Sequence, residues 1–94
     1  MESLGQFEIE MRLFGAFRKY EVNGPFIRLK LKNGATTVEI KEKIKSELKK
    51  QHPQFNEGSL VDDSAIANDE GIMGANDQVL KSCTLAILPP VCGG

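Results

Sequence analysis

An α+β fold, one mixed sheet of four or five strands packed on a single main helix, is what this sequence predicts. Three observations carry that expectation. Alternating apolar and polar residues recur over 7–13 and 27–32; one stretch from about 37 to 50 repeats its apolar residues every four positions; and a six-residue apolar run, 83–88, closes on two prolines.

The first strand is Phe7-Glu8-Ile9-Glu10-Met11-Arg12-Leu13, with Phe7, Ile9, Met11 and Leu13 on one face. Residues 14–20 lose the alternation and read as a short helical turn with Phe14 and Phe17 facing inward. Asn23-Gly24-Pro25 is a turn, and Ile27, Leu29 and Leu31 then alternate with Arg28, Lys30 and Lys32 in a second strand, antiparallel to the first. Thr36 and Glu39 have capping-box spacing, and Ile40, Ile44 and Leu48 form the helix stripe that His52-Pro53 ends. The lone His52, at a polar helix end, reads as a capping or solvent-facing residue.

Residues 54–82 hold closely spaced turn signals, with short strand candidates around 64–68 and 71–73. Cys83-Thr84-Leu85-Ala86-Ile87-Leu88 suits a central strand buried on both faces. With the second strand and the helix lying between them in sequence, the last strand can pair with the first in mid-sheet, which is the order of a ubiquitin-like β-grasp.

At 94 residues the chain is expected to be one domain, 1–94, with a flexible tail over 89–94. Its formal charge of −1 argues against a nucleic-acid surface. That balance hides a split. Residues 1–50 hold eleven basic and seven acidic residues (net +4), and residues 51–94 hold one basic and six acidic (net −5). No apolar run approaches a membrane span, and no secretory segment opens the chain, so a cytoplasmic location is expected. Two cysteines, Cys83 and Cys92, do not make a disulfide scaffold. One histidine leaves little for a metal site or a catalytic dyad, and the chain is expected to act through partners.

The tail reads Leu88-Pro89-Pro90-Val91-Cys92-Gly93-Gly94. Proline cannot continue a sheet ladder, so Pro89-Pro90 turn the chain off the sheet as an extended arm. Gly93 and Gly94 have no side chains and can thread a narrow channel, which carries the Gly94 carboxylate away from the domain. Fraying of small terminal residues explains such a tail equally well when it is taken alone.

The chain resembles the ubiquitin-like sulfur carriers, and among them the small subunits of molybdopterin synthase. The likeness covers about residues 7–94, without 51–63. It rests on Leu13-Phe14-Gly15-Ala16-Phe17-Arg18, on Ser64-Ala65-Ile66-Ala67-Asn68-Asp69-Glu70, and above all on Leu88-Pro89-Pro90-Val91 followed by Gly93-Gly94. Two positions depart from that pattern. Lys81-Ser82 stands where Gly-Asp is usual, and Cys92 stands where Ser or Ala is usual. Cys92 is read as neutral packing, with thiol exchange near the tail as the alternative.

The resemblance implies a mechanism in which no side chain of this protein is an acid, base or nucleophile. An adenylating partner similar to ubiquitin-activating enzymes uses ATP and Mg²⁺ to make a transient C-terminal adenylate on Gly94. A persulfide donor converts it to a thiocarboxylate, and no cofactor is bound stably. The tail then enters the large subunit of molybdopterin synthase, in an assembly of two small and two large subunits. There it gives sulfur to a cyclic pyranopterin monophosphate. Gly93 supplies clearance, Pro89, Pro90 and Val91 set the arm's direction, and the exposed sheet face docks partners. Phe7 and Leu85 belong either to the core or to that docking face. Alternatives are sulfur donation in thiamine, tRNA or cysteine pathways, a ubiquitin-like modifier joined to lysines, and a plain interaction module with an inert tail.

Overall fold

The computed structural model describes residues 6–21, 24–79 and 83–90. Period-two alternation places Ile9, Met11 and Leu13 of β1 (Gln6–Leu13) in the core, with Phe7 half-buried against it. β2 (Phe26–Lys32) runs antiparallel to β1, pairing Ile9 with Leu29 and Met11 with Ile27, and buries Ile27, Leu29 and Leu31 on the same face.

Between them, Gly15–Tyr20 form a 3-10 helix that buries Phe17 and Tyr20. Phe14 does not face inward as the sequence predicts: it is 39% exposed. Its backbone stays extended (φ −126°, ψ 160°), so the alternation of β1 continues for one more residue, with Leu13 in and Phe14 out.

After β3 (Ala35–Thr36) comes α1 (Thr37–Gln51). Its capping box is formed as expected: Thr36 Oγ1 accepts from the Glu39 amide, and Glu39 Oε1 accepts from the Thr36 amide at 2.9 Å. Ile40, Ile44 and Leu48 are fully buried. His52 caps the helix through its own amide, but its ring is not turned to solvent. Nε2 lies 3.0 Å from the Tyr20 carbonyl oxygen, which can only accept, so that nitrogen carries the proton.

α2 (Gly58–Asp62) buries Val61 in a stretch that sequence patterning leaves as a connection; five residues with one fully buried side chain present no periodicity. β4 (Ala65–Asn68) and β5 (Gly71–Ile72) form a hairpin, where the Asn68 side chain accepts from the Glu70 amide at 2.8 Å. β6 (Gln78–Val79) pairs with β3 in a separate two-stranded ribbon.

β7 (Thr84–Leu88) is parallel to β1 and antiparallel to β4, giving the order β2-β1-β7-β4-β5. This is a ubiquitin-like β-grasp: a mixed sheet packed on one main helix. Leu85 and Ile87 are core residues, whereas Thr84 is exposed and Ala86 and Leu88 half-buried. The apolar run is therefore central but buried on one face, because among the described residues no second layer covers the other. Among the described residues no helix is long and apolar enough to cross a membrane.

Candidate functional site: the root of the C-terminal arm and the open sheet face

β7 delivers the chain to its terminus from the middle of the sheet. Hydrogen bonding begins before the strand proper, where the Glu10 amide donates to the Cys83 carbonyl at 3.2 Å. At the other end Leu13 pairs with Ile87, and Leu88 lies opposite Ala65. The strand is thus held on both sides up to its last residues.

Pro89 follows directly and is half-buried. Its ring lies over Gly15, the first residue of the 3-10 helix. A Cβ on Gly15 would stand 2.6 Å from Pro89 Cγ, and Gly15 has φ +56°, a left-handed conformation that only glycine takes without cost. The expected free arm from 89 onward is therefore narrowed, since Pro89 is seated on the domain and Pro90 is the first exposed residue of the arm. Val91, Cys92, Gly93 and Gly94, which carry the rest of the expected site, lie outside the described residues, as does the Lys81-Ser82 turn.

The sheet face opposite the helix surrounds this root. Pairing across all five strands aligns Phe26, Arg12, Ala86, Ala67 and Ile72 in one row. Ile72 is 63% exposed, and the small side chains of Ala67 and Ala86 leave the centre of the row low. One side of the face is charged. Arg28 pairs with Glu10 at 3.7 Å, the Arg28 guanidinium lies 5.4 Å from the Phe26 ring centre, and that of Arg12 lies 5.9 Å from the Phe14 ring centre. Phe7 and Leu85, left open between core and docking face, both fall on the core side. Sequence reasoning missed Gly15 as the seat of Pro89; its one trace was a glycine inside an otherwise bulky Leu-Phe-Gly-Ala-Phe run.

A second polar cluster lies where the 3-10 helix meets the segment after α1. Tyr20 Oη donates to Glu57, and Lys19 Nζ pairs with the same carboxylate at 3.0 Å. Burial, reinforced by Glu57, pushes the Tyr20 phenol up to about 12. Hydrogen bonds from Tyr20 and Lys19 hold Glu57 below the usual carboxylate range. These groups join two surface segments and have a structural role. Among the described residues no three His, Cys, Asp or Glu side chains come together as a metal site.

No protein-family model matches the sequence, and no curated protein matches it. Solved structures do match its fold. SAMP1 of Haloferax volcanii aligns with a TM-score of 0.64 at 18% identity, covering 94% of this chain and 100% of that one. The HVO 2177 protein of Haloferax volcanii aligns at 0.66 and 21% identity, covering 96% and 89%. A Pyrococcus furiosus protein given as molybdopterin converting factor, subunit 1, aligns at 0.59 and 21% identity, covering 89% and 98%. At these identities the likeness is one of fold.

Proposed function

We propose that this protein is a ubiquitin-like carrier whose Gly94 carboxylate is activated by an adenylating partner and then passed to an acceptor. The observation that carries this reading is the clamped exit of β7: the strand is held by β1 and β4, and Pro89 is seated on Gly15, so the residues beyond Pro90 start from a fixed point. A carrier needs that arrangement, since the partner must find the same carboxylate at the same distance from the domain each time.

The chemistry follows from the carboxylate. Its oxygen attacks the α-phosphorus of ATP and pyrophosphate leaves, which turns a poor electrophile into an acyl-adenylate. The terminal sulfur of a persulfide then displaces AMP, and a thiol cleaves the S–S bond to release the thiocarboxylate. A lysine amine attacking the same adenylate, or a thioester derived from it, gives an isopeptide instead.

Likeness in fold to SAMP-type modifiers as well as to molybdopterin-related carriers supports the broad reading, sulfur carrier or protein modifier, over a single pathway. The finer reading is the small subunit of molybdopterin synthase, which gives sulfur to a pyranopterin within a large partner subunit. Leu88-Pro89-Pro90-Val91 before Gly93-Gly94 supports it.

The test is the intact mass of the chain after incubation with an activating enzyme, ATP and a persulfide donor. The expected result is an ATP-dependent gain of about 16 Da that persists in Cys92→Ser, since oxidation of a thiol adds the same mass. No gain, together with no ATP–pyrophosphate exchange, overturns the carrier reading. High-mass lysine conjugates in cells select the modifier branch. Loss of molybdoenzyme activity on deletion, with thiamine synthesis and tRNA thiolation intact, selects molybdopterin synthesis.

A further inference from the structure

Gly15, the seat of Pro89, does not fix its own conformation. A glycine takes positive and negative φ about equally readily, so its φ of +56° is imposed by the segments on either side. On one side β1 supplies a firm end: the Leu13 amide donates to the Pro25 carbonyl at 2.9 Å, and Leu13 pairs with Ile87 of β7. On the other side runs the 3-10 helix Gly15–Tyr20, about 10 Å long at the usual rise of such helices. Its own hydrogen bonds have poor geometry, so it is held by what its side chains reach. Phe17 enters the core at mid-length.

The far end of this helix is pinned at several points. Tyr20 Oη donates to the Glu57 carboxylate, and the Tyr20 carbonyl accepts from His52 Nε2 at 3.0 Å. The Tyr20 ring meets Phe55 edge-on, with ring centres 5.3 Å apart. Lys19, one residue earlier, pairs with the same Glu57 at 3.0 Å. All these partners come from one stretch, the end of α1 and the connection to α2. That stretch is itself tied down: the Phe55 amide donates to the His52 carbonyl at 2.7 Å, and the Phe55 carbonyl accepts from Lys49 Nζ at 3.4 Å. A phenylalanine at position 20 would fill the same space in the core. What the hydroxyl adds is direction.

We propose that Tyr20, His52 and Glu57 are positioning residues for the C-terminal arm: by pinning the far end of the 3-10 helix, they hold Gly15 in the left-handed turn on which Pro89 rests. The functional meaning of this coupling rests on the carrier reading, whereas the coupling itself rests on geometry alone. The stretch 52–57 and the root of the arm sit at opposite ends of one short helix, so loosening the first shifts the second.

The test begins on the free, isotope-labelled full chain, where the nuclear Overhauser effect between the Gly15 α-protons and the Pro89 ring protons reports the seat directly. The Tyr20→Phe/His52→Leu pair removes two polar ties and keeps apolar volume. It should weaken that contact about two-fold or more, as the seated form is depopulated, and shift the Gly15 and Leu88 amides. His52→Leu alone should weaken it in part. His52→Gln, whose side-chain amide can donate from nearly the place of Nε2, should keep it. Ile40→Val, which loosens the core from α1 instead, should leave the contact unchanged. If the double variant fails to fold, the Tyr20→Phe and His52→Leu single variants carry the same test. In adenylate formation with an activating enzyme, the double variant should lower kcat about five-fold with KM unchanged, since docking is intact and only the presentation of the carboxylate is altered. A chain that is not adenylated in its unchanged form overturns the carrier reading, and the proton contact then decides the coupling. An unchanged Gly15–Pro89 contact in the double variant, an equal loss in Ile40→Val, no difference between His52→Gln and His52→Leu, or a rise in KM at constant kcat each overturns the proposal.

Discussion

Gly15 packs against the ring of Pro89 so closely that a single added carbon would come within 2.6 Å of Cγ. Gly15→Ala should therefore cost about 1–2 kcal/mol for the left-handed backbone alone, with the clash in addition. Urea unfolding measures the sum. Pro89→Ala in the same chain should recover the clash but not the backbone cost, and a double-mutant cycle isolates the coupling. Full additivity of the two changes would mean that the ring is not seated there.

The proposal that an adenylating partner docks on the open sheet face predicts a separation of stability from activity. Ala67→Arg places a long cation in the middle of the row formed with Ala86 and Ile72. Unfolding free energy should change by no more than about 0.5 kcal/mol, as for a surface change, while adenylation falls. Unchanged kcat/KM for adenylate formation would place docking elsewhere.

The Tyr20–Glu57 contact predicts two limbs in the pH dependence of stability. Tyr20 holds its proton more tightly folded than unfolded, so its contribution is complete below pH 10 and is lost as pH rises from about 10 to about 12. Glu57 is shifted the other way. Its contribution is present above the ordinary carboxylate range and is lost as pH falls through its lowered folded value. Tyr20→Phe should remove this alkaline limb and weaken the acid one in denaturation curves taken across pH.

Ile87 is fully buried and pairs with both Leu13 and Ile66. Ile87→Ala should cost about 2–5 kcal/mol and Ile87→Val about 0.5–1.5 kcal/mol, read from chemical denaturation. Equal effects would mean that the surrounding side chains collapse into the space.

Much of the fold was legible in the sequence because the strongest patterns coincide with the deepest burial. Period two in β1 and β2, period four in α1 and the Thr36–Glu39 box each specify a local geometry that needs no distant partner. What was not legible depended on contacts far apart in the chain. Ala35 meets Val79 only once β3 and β6 are brought together, and two residues per strand carry no alternation. His52 caps α1 as its place at the helix end suggests, but nothing near it in sequence announces the contact of its ring with the Tyr20 carbonyl. For the site, Pro89 and Pro90 signalled where the strand stops, but the seat of Pro89 lies at Gly15, on the far side of most of the chain. Of the two prolines only Pro90 is exposed, a difference set by position in the fold and absent from the residue type.

The placement of β7 also has a mechanical consequence. A pull on the C-terminus draws this strand along its own axis, past β1 on one side and β4 on the other, so the rungs of both ladders are loaded together in shear instead of opening one at a time. A motor or partner that grips the end of this chain therefore meets its most resistant strand first.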